Sequence, residues 1–174
     1  MRTTTPLRLI VIIAASVALT FIVRDYFLER IYIATPSMEP TLPAGSKWWV
    51  DKLSLRFRAA RRGEIVVLAS PVSSEKGLVK RVIAVGGDTL QISNKTVLIN
   101  NSRIEEPYVQ HTRSEEILIG DNLGPLEIPQ GHVFVMGDNR DESGDSRDWK
   151  DPTSNKPIRF IMNSQIQGRL MDTP

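Results

Sequence analysis

The sequence predicts a mainly β domain that follows a single apolar helix at the N-terminus. Residues 9–23 are uncharged and almost wholly apolar, whereas the chain from Trp48 onward consists of short apolar runs separated by Gly, Pro, Asn and Asp. Such punctuation is typical of strands joined by turns. No window after residue 35 has the apolar period of a helix. At 174 residues the chain is long enough to bury one substantial core.

The composition excludes several classes of function. The net charge is +2, and Lys and Arg are spread along the chain, so we expect no nucleic acid partner. The chain has no cysteine, which excludes a disulfide framework, a thiol nucleophile and a cysteine-based zinc site. His111 and His132 are its two histidines, too few for a histidine-rich metal centre. We expect no metal and no cofactor.

Residues 7–28 are predicted to form a transmembrane anchor after a short tail of residues 1–6. A helix of the fifteen residues 9–23 spans about 22 Å, short of the roughly 30 Å hydrocarbon core. Leu7 and residues 26–28 close most of this gap if Arg8 extends outward to the interface. The lipid bilayer is therefore an expected partner.

A cleavable signal peptide is the alternative interpretation of the same segment. Its apolar run should be followed by a small-x-small cleavage site, but Arg24-Asp25-Tyr26-Phe27 follows instead. Arg2 and Arg8 precede the span and Arg24 and Arg30 follow it, so charge favours an inside N-terminus only moderately.

Residues 29–174 are predicted to form the β domain. The segment 24–33 is predicted to be a strand or short helix, and residues 112–130 a loop with one short strand. The run RFRAARR at 56–62 is predicted to be a solvated loop, with a membrane-surface contact as the alternative. Trp48 and Trp49 are adjacent, so at most one of them can face the core. The other predicted strands cover residues 48–50, 65–68, 78–85 and 133–136, with two more in 89–102.

Ser37 and Lys80 are the candidates for nucleophilic chemistry. Ser37 lies between Pro36 and Pro40, which restrict the backbone of the turn. A serine hydroxyl is a poor nucleophile until a base takes its proton. Lys80 lies inside a predicted strand, on one face with Leu78, Val82 and Ala84. Burial there would lower its pKa toward the range of a general base, which arginine cannot reach.

A polar segment, residues 137–148 (GDNRDESGDSRD), follows the strand at 133–136. A calcium loop is one alternative, but counting from Asn139 puts Lys150 where the bidentate Glu should be. The alternating charges instead favour a network of arginine–carboxylate pairs. Such a network could hold Ser143 against a neutral lysine amine.

The serine turn, the lysine strand and the Gly137-Asp138-Asn139-Arg140-Asp141 run, in this order behind an apolar span, resemble the bacterial type I signal peptidases. The resemblance covers the chain from the anchor to about Arg147. It implies a signal-peptidase-like β-sheet catalytic domain, related in fold to the LexA-type self-cleaving repressors. It also implies a single-pass protein of the bacterial inner or plasma membrane, with the catalytic domain on the outer side.

The resemblance implies a role for each candidate residue. The protein would remove signal peptides from exported preproteins, cutting after small residues, with Ser37 as nucleophile and Lys80 as general base. The Thr35 hydroxyl and the Ser37 N–H would form the oxyanion hole. Ser143, Asp145 and Arg147 would support the lysine. The pockets for the small residues of the substrate would be lined by Ile33, Leu78 and Val79.

Two features depart from the family pattern. Gly45-Ser46-Lys47-Trp48-Trp49-Val50 stands where the family commonly has Gly-Asp and three apolar residues, and Thr35 stands where Ser is frequent. With one span and no large second domain, we expect a compact family member. Two alternatives stay open: a membrane-anchored β domain that only binds exported chains, and a maturase specialised for pilins or conjugation proteins.

Overall fold

In a computed structural model of the chain, two antiparallel sheets pack against each other behind an N-terminal helix. The structure describes residues 5–73 and 77–171, without the side chains of Thr5, Leu7 and residues 22–25. Residues 1–4 of the predicted tail, with Arg2, lie outside the described part. So do the side chains of Arg24 and Asp25 and the last three residues of the predicted 29–174 domain.

The first element, α1 (Thr5–Phe27), coincides with most of the predicted anchor. The side chains of residues 8–21 are all exposed on it. Among the described residues, no helix is both long and apolar enough to cross a membrane. The span at residues 7–28 therefore stays a prediction.

The strands confirm the mainly β fold predicted for the rest of the chain. Those predicted at residues 48–50, 65–68, 78–85 and 133–136 are present. In the segment 24–33, the strand alternative is right for residues 28–32, whereas residues 24–27 continue the N-terminal helix. In chain order the described strands are β1 (Leu28–Tyr32), β2 (Lys47–Asp51), β3 (Ile65–Ala69), β4 (Gly77–Val85), β5 (Thr89–Ser93), β6 (Thr96–Ile99), β7 (Ser102–Arg103), β8 (Leu123–Glu127), β9 (His132–Met136), β10 (Ile161–Met162) and β11 (Ile166–Leu170).

The strands form a seven-stranded sheet in the order β1-β2-β11-β3-β4-β9-β10 and a four-stranded sheet in the order β7-β6-β5-β8. One core cluster fills the space between the sheets, with Phe134 from the first and Leu90 from the second. Another lies under the serine turn and contains Met38 and Leu42. The second cluster gives the turn a rigid base, because its apolar side chains are close-packed.

The faces of β4 correct the predicted alternation. Lys80 was predicted to share a face with Val82 and Ala84. Val66, which pairs opposite Lys80, lies in the same core cluster as Val82, but Ala84 packs with Ile83 between the sheets. The register against β9 shifts between Val82 and Ala84, and such a bulge reverses the faces that follow it. The predicted face is wrong from Ala84 onward and holds for Lys80.

Two details near β2 refine the prediction for this part of the chain. Trp48 is half-buried against the core while Trp49 is 49% exposed, as expected for neighbours on a strand. The predicted loop at 56–62 begins within a one-turn helix, α2 (Ser54–Phe57).

Candidate active site

Ser37 lies in a 3₁₀ turn, Pro36–Met38, between β1 and β2. Thr35 precedes the turn in an extended conformation, which suits a residue before proline. Ser37 is 9% exposed, and the side chains of Met38 and Leu42 beyond it are fully buried. Because the turn is fixed in the core on one side, the hydroxyl of Ser37 has a defined position.

Lys80 reaches this hydroxyl from the middle of β4. Its Nζ lies 3.0 Å from Ser37 Oγ and 3.0 Å from Ser143 Oγ, and the residue is 3% exposed. Burial lowers the pKa of the amine below that of a free lysine. The Asp145 carboxylate acts in the opposite direction and the Arg147 guanidinium in the same one. A lowered pKa increases the neutral fraction that can accept a proton.

Asp145 and Arg147 form a buried ion pair behind Ser143. Arg147 Nε lies 2.8 Å from Asp145 Oδ1, and Asp145 Oδ2 accepts the Ser143 hydroxyl at 2.8 Å and the Gly137 N–H at 3.0 Å. Burial alone would raise the pKa of Asp145, but the Arg147 charge and the hydrogen bonds from Arg147 and the Gly137 N–H outweigh it and lower the pKa. Asp145 is therefore an ionised acceptor at neutral pH.

This arrangement fixes the direction of the hydrogen bonds at Lys80. A hydroxyl carries one proton, and an ionised carboxylate can only accept. Since the Ser143 hydroxyl donates its hydrogen bond to Asp145, Ser143 Oγ must accept a hydrogen bond from Lys80 Nζ. A neutral amine that donates to Ser143 keeps a lone pair for Ser37. The support network thus orients the amine as a base toward Ser37.

The segment after β9 is packed directly against the serine turn. The Asn139 N–H donates to Ser37 O at 3.2 Å, and Asn139 Nδ2 donates to Pro36 O at 3.3 Å. A Cβ built on Gly137 would lie 2.3 Å from Ser143 Oγ and 2.4 Å from Ser37 O. This close approach requires a glycine, because no side chain fits between the two serines.

Arg81 and Asp138 hold the far end of the turn. Arg81 Nε donates to Asp138 Oδ1 at 2.8 Å, and the Thr41 hydroxyl donates to Asp138 Oδ2 at 2.6 Å. The Arg81 guanidinium also stacks on Tyr108, 3.8 Å from the ring centroid. The neighbouring cations of β4 therefore differ in function: Arg81 is fully paired by a carboxylate, while Lys80 faces two hydroxyls.

A cleft of about 820 Å³ opens beside the two serines. It contains Ser37, Lys80 and Thr35, and its walls include all three predicted pocket residues, Ile33, Leu78 and Val79. The structure thus brings together every residue predicted for the nucleophile, base and pockets. Thr35 Oγ1 lies 3.2 Å from Ser37 Oγ, beside the predicted oxyanion position.

Sequence reasoning missed several residues that shape this site. Met38 and Trp149 also line the cleft, and Gly137 and Asn139 position the turn. The sequence signal available for Gly137 and Asn139 was the Gly-Asp-Asn run at the end of a predicted strand, because a glycine there indicates close backbone approach.

Comparisons with known proteins show the family to which the chain is similar. A model of the family described as "Signal peptidase, peptidase S26" matches residues 6–171. The chain is 37% identical over 141 residues to signal peptidase I of Bacillus licheniformis, covering 78% of this chain and 74% of that protein. It is 35% identical over 139 residues to signal peptidase I T of Bacillus subtilis strain 168, covering 78% and 72%. A crystal structure of a signal peptidase I from Enterococcus faecalis V583 aligns with a TM-score of 0.49 at 25% identity, covering 66% of this chain and 98% of that one.

Proposed function

Because this chain belongs to the signal peptidase family, peptidase S26, and is a serine endopeptidase, we propose that it removes signal peptides from exported preproteins with a Ser37–Lys80 dyad. The observation that carries the proposal is the buried Lys80 amine 3.0 Å from the Ser37 hydroxyl. This distance lies within the reach of direct proton transfer between a base and a nucleophile.

The reaction begins with neutral Lys80. As Ser37 Oγ attacks the carbonyl carbon of the scissile bond, its proton moves to Lys80 Nζ, and the carbonyl π electrons move to the oxygen. Ser143 Oγ accepts a hydrogen bond from the amine throughout, so the new ammonium keeps Ser143 as a hydrogen-bond partner close to Asp145. The negative charge of Asp145 stabilises the ammonium that forms.

The oxyanion would be stabilised by two donors. The Ser37 N–H belongs to the first turn of a 3₁₀ helix, where amide hydrogens lack partners within the helix. The Thr35 hydroxyl lies 3.2 Å from Ser37 Oγ, and both residues line the cleft. Preorganised donors of this kind contribute about 3–4 kcal/mol to transition-state stabilisation.

The intermediate then breaks down in two stages. The Lys80 ammonium gives its proton to the leaving amine as the peptide bond breaks, which leaves an ester between Ser37 and the signal peptide. Neutral Lys80 next takes a proton from water, whose oxygen attacks the ester carbon. As the bond between the ester carbon and Ser37 Oγ breaks, the Lys80 ammonium returns its proton to Oγ, which releases the acid and regenerates the Ser37 hydroxyl and neutral Lys80.

An extended substrate can dock against β4. The pairing of β4 with β3 covers residues 77–81, whereas its pairing with β9 covers residues 81–85. Leu78 and Val79 are therefore paired with β3 on one side of β4. On the other side, their backbone has no strand partner in the described part of the chain, and both residues line the cleft. A peptide added at this edge would place alternate side chains toward Ile33 and Val79. Pockets lined by such side chains favour small residues near the scissile bond.

We further propose that α1 anchors the enzyme in the bacterial inner or plasma membrane, with the catalytic domain on the outer side. Its 23 residues make a helix of about 34 Å, slightly more than a hydrocarbon core of roughly 30 Å. The lipid bilayer and the signal peptides of preproteins are then the two partners of the protein.

Cleavage of a presequence tests the proposed function. The full chain in nanodiscs is incubated with a presequence peptide that has small residues at the first and third positions before the expected cut. Mass spectrometry should show one cut, directly after the small residue at the first position before the expected cut. A matched peptide with leucine at that position should stay intact. No cleavage, or cleavage independent of the small residues, would contradict the proposal.

A further inference from the structure

The one-turn helix α2 presents an apolar side chain to solvent between arginines. Phe57, at the end of this turn, is 82% exposed, and Arg56 and Arg61 are exposed on either side of it in sequence. Among the large apolar side chains of the described residues, Phe57 and Ile119 (84% exposed) are the two most exposed, and Phe57 is the one of the two with arginines close to it in sequence.

The turn is held rigidly. Asp51 Oδ1 accepts the N–H groups of Leu53 and Ser54 at 2.9 Å each, and Asp51 Oδ2 accepts the Ser54 hydroxyl. Leu55 packs against a core cluster on the inner side. The exposure of Phe57 is therefore a property of a structured turn.

The same turn lies next to the end of α1. The Lys52 N–H donates to Phe27 O at 2.9 Å, and Asp51 pairs with Leu28, the residue that follows the helix. Phe57 is five residues beyond Lys52, so their Cα atoms are at most about 18 Å apart. A bilayer crossed by α1 would have its headgroup layer within reach of this turn.

The charges of the turn are divided into paired and unpaired groups. Arg58 is paired with Glu64 and Arg62 with Asp88. In the described residues, the side chains of Arg56 and Arg61 have no carboxylate partner. Two guanidinium groups without a carboxylate partner, within four residues of an exposed phenyl ring in sequence, match an anionic lipid surface, because the ring can enter the interface while the arginines bind phosphate.

We propose that α2 and the following loop form a second membrane contact, with Phe57 inserted among anionic phospholipid headgroups and Arg56 and Arg61 bound to their phosphates. The inference rests on the proposed anchoring by α1. A domain attached through one helix end can rotate about it, whereas a second contact fixes that rotation. The contact would therefore hold the Ser37 cleft at a constant orientation to the bilayer that carries the substrate.

The absence of cysteine from the chain allows a single-site test. Full-length Phe57→Cys is labelled with a nitroxide in nanodiscs of phosphatidylcholine alone or with phosphatidylglycerol. Accessibility to oxygen and to a polar nickel complex is measured by electron paramagnetic resonance. In phosphatidylglycerol discs the label should be accessible to oxygen and shielded from nickel. A matched label at Ile119→Cys, a residue 84% exposed in the loop before β8, should stay accessible to nickel in both discs.

The arginines have their own test. Arg56→Gln with Arg61→Gln should abolish the effect of phosphatidylglycerol on the Phe57 label, whereas Arg103→Gln, an exposed arginine on β7, should not. A Phe57 label as accessible to nickel as the Ile119 label, in discs whose enzyme cleaves presequence, would overturn this inference alone. Failure of the chain to enter discs would overturn the anchor and the inference together. Shielding only after an added soluble protein binds would assign the surface to that protein and refute the lipid contact.

Discussion

Burial separates the chemistry of Lys80 from that of a surface lysine. Its amine faces Ser37 and Ser143 and has lost most of its hydration, so the charged form is disfavoured. Arg81, the next residue, is bound by Asp138 instead. Of the two adjacent cations, only lysine has a side chain that can lose its proton and act as a base.

Ser37→Ala and Lys80→Ala should each lower kcat/KM for presequence cleavage by about 10⁴-fold or more, and the double variant should be hardly worse than either. The two groups act in one proton transfer, so losing one removes the contribution of the other. Lys80→Arg should not restore activity, because guanidinium stays charged. Circular dichroism checks that each variant folds. Substantial cleavage by Lys80→Arg would refute the assignment of lysine as base.

Activity should rise with pH through the lowered pKa of Lys80, because the neutral amine is the base. Between that pKa and the ordinary value near 10.4, the unfolded chain binds more protons than the folded one. The Lys80 contribution to the free energy of unfolding should therefore increase with pH across this window.

Rate profiles and unfolding of wild type and Lys80→Met at several pH values measure the two effects. Ser143→Ala should reduce kcat and shift the profile, because the amine loses its orienting acceptor. A rate that is constant from mildly acidic to alkaline pH would contradict a titrating base.

Gly137→Ala should impair both stability and rate. The added Cβ would meet Ser143 Oγ and Ser37 O at less than contact distance, so the turn must move away from Lys80. Overpacking costs about 1–3 kcal/mol, and displacement of about 1 Å can cost 10²-fold in rate. Thermal unfolding and kcat report the two effects. Gly131→Asn is the matched control, because the position is open and has a positive φ that Asn tolerates; it should change neither the Tm nor kcat. A Gly137→Ala enzyme with unchanged Tm and kcat would show that close packing between Gly137 and the two serines is not required.

At the residue scale, the sequence predicted the groups that react better than the groups that position them. Ser37 and Lys80 could be chosen because a buried lysine can act as a base where arginine cannot, and because their motifs resemble those of a known family. Gly137 and Asn139 act through close packing against a turn a hundred residues earlier in the chain. That contact depends on tertiary structure, which local residue patterns do not contain.

Among the elements, β11 is the longest of the three described strands that the sequence pattern failed to predict, the other two being β7 and β10. Ile166–Leu170 has Gly168 at its centre and Arg169 beside it, so it lacks a clear apolar alternation. In the sheet it lies between β2 and β3, and Arg169 pairs with Asp51 at 3.2 Å. Its strand conformation is set by these long-range neighbours, whereas β3 and β4 are apolar enough to be recognised alone.

Gly168→Ala tests how closely β11 is packed in the sheet. A Cβ at Gly168 would lie 2.5 Å from Val50 Cγ1 and 2.8 Å from Asp51 O, so β2 must shift. We expect a loss of about 1–3 kcal/mol and a Tm lower by roughly 2–12 °C. Thermal unfolding followed by circular dichroism measures the change against Gly131→Asn. An unchanged Tm would mean that β2 and β11 separate without cost.

At the scale of the molecule, the fold brings three distant segments to one cleft. The serine turn follows β1, Lys80 lies in β4, and Ser143 follows β9. Because β4 and β9 are neighbours in the sheet, the loop after β9 reaches Lys80, and Asn139 joins it to the turn. The order of motifs predicted a common site, but the sheet order that creates it depends on strand pairing over long sequence distances.

The amine at position 80 is the proposed base for Ser37, and replacing it chemically tests this role most directly. Lys80→Cys gives the chain a single cysteine, which 2-bromoethylamine converts into a sulfur analogue of lysine. Lys80→Cys should be inactive, aminoethylation should restore presequence cleavage, and alkylation with iodoacetamide should not. The restored enzyme should have its pH profile displaced to lower pH, since sulfur lowers the pKa of the amine. Cleavage by unmodified Lys80→Cys, or no recovery after complete aminoethylation, would show that the amine is not the base.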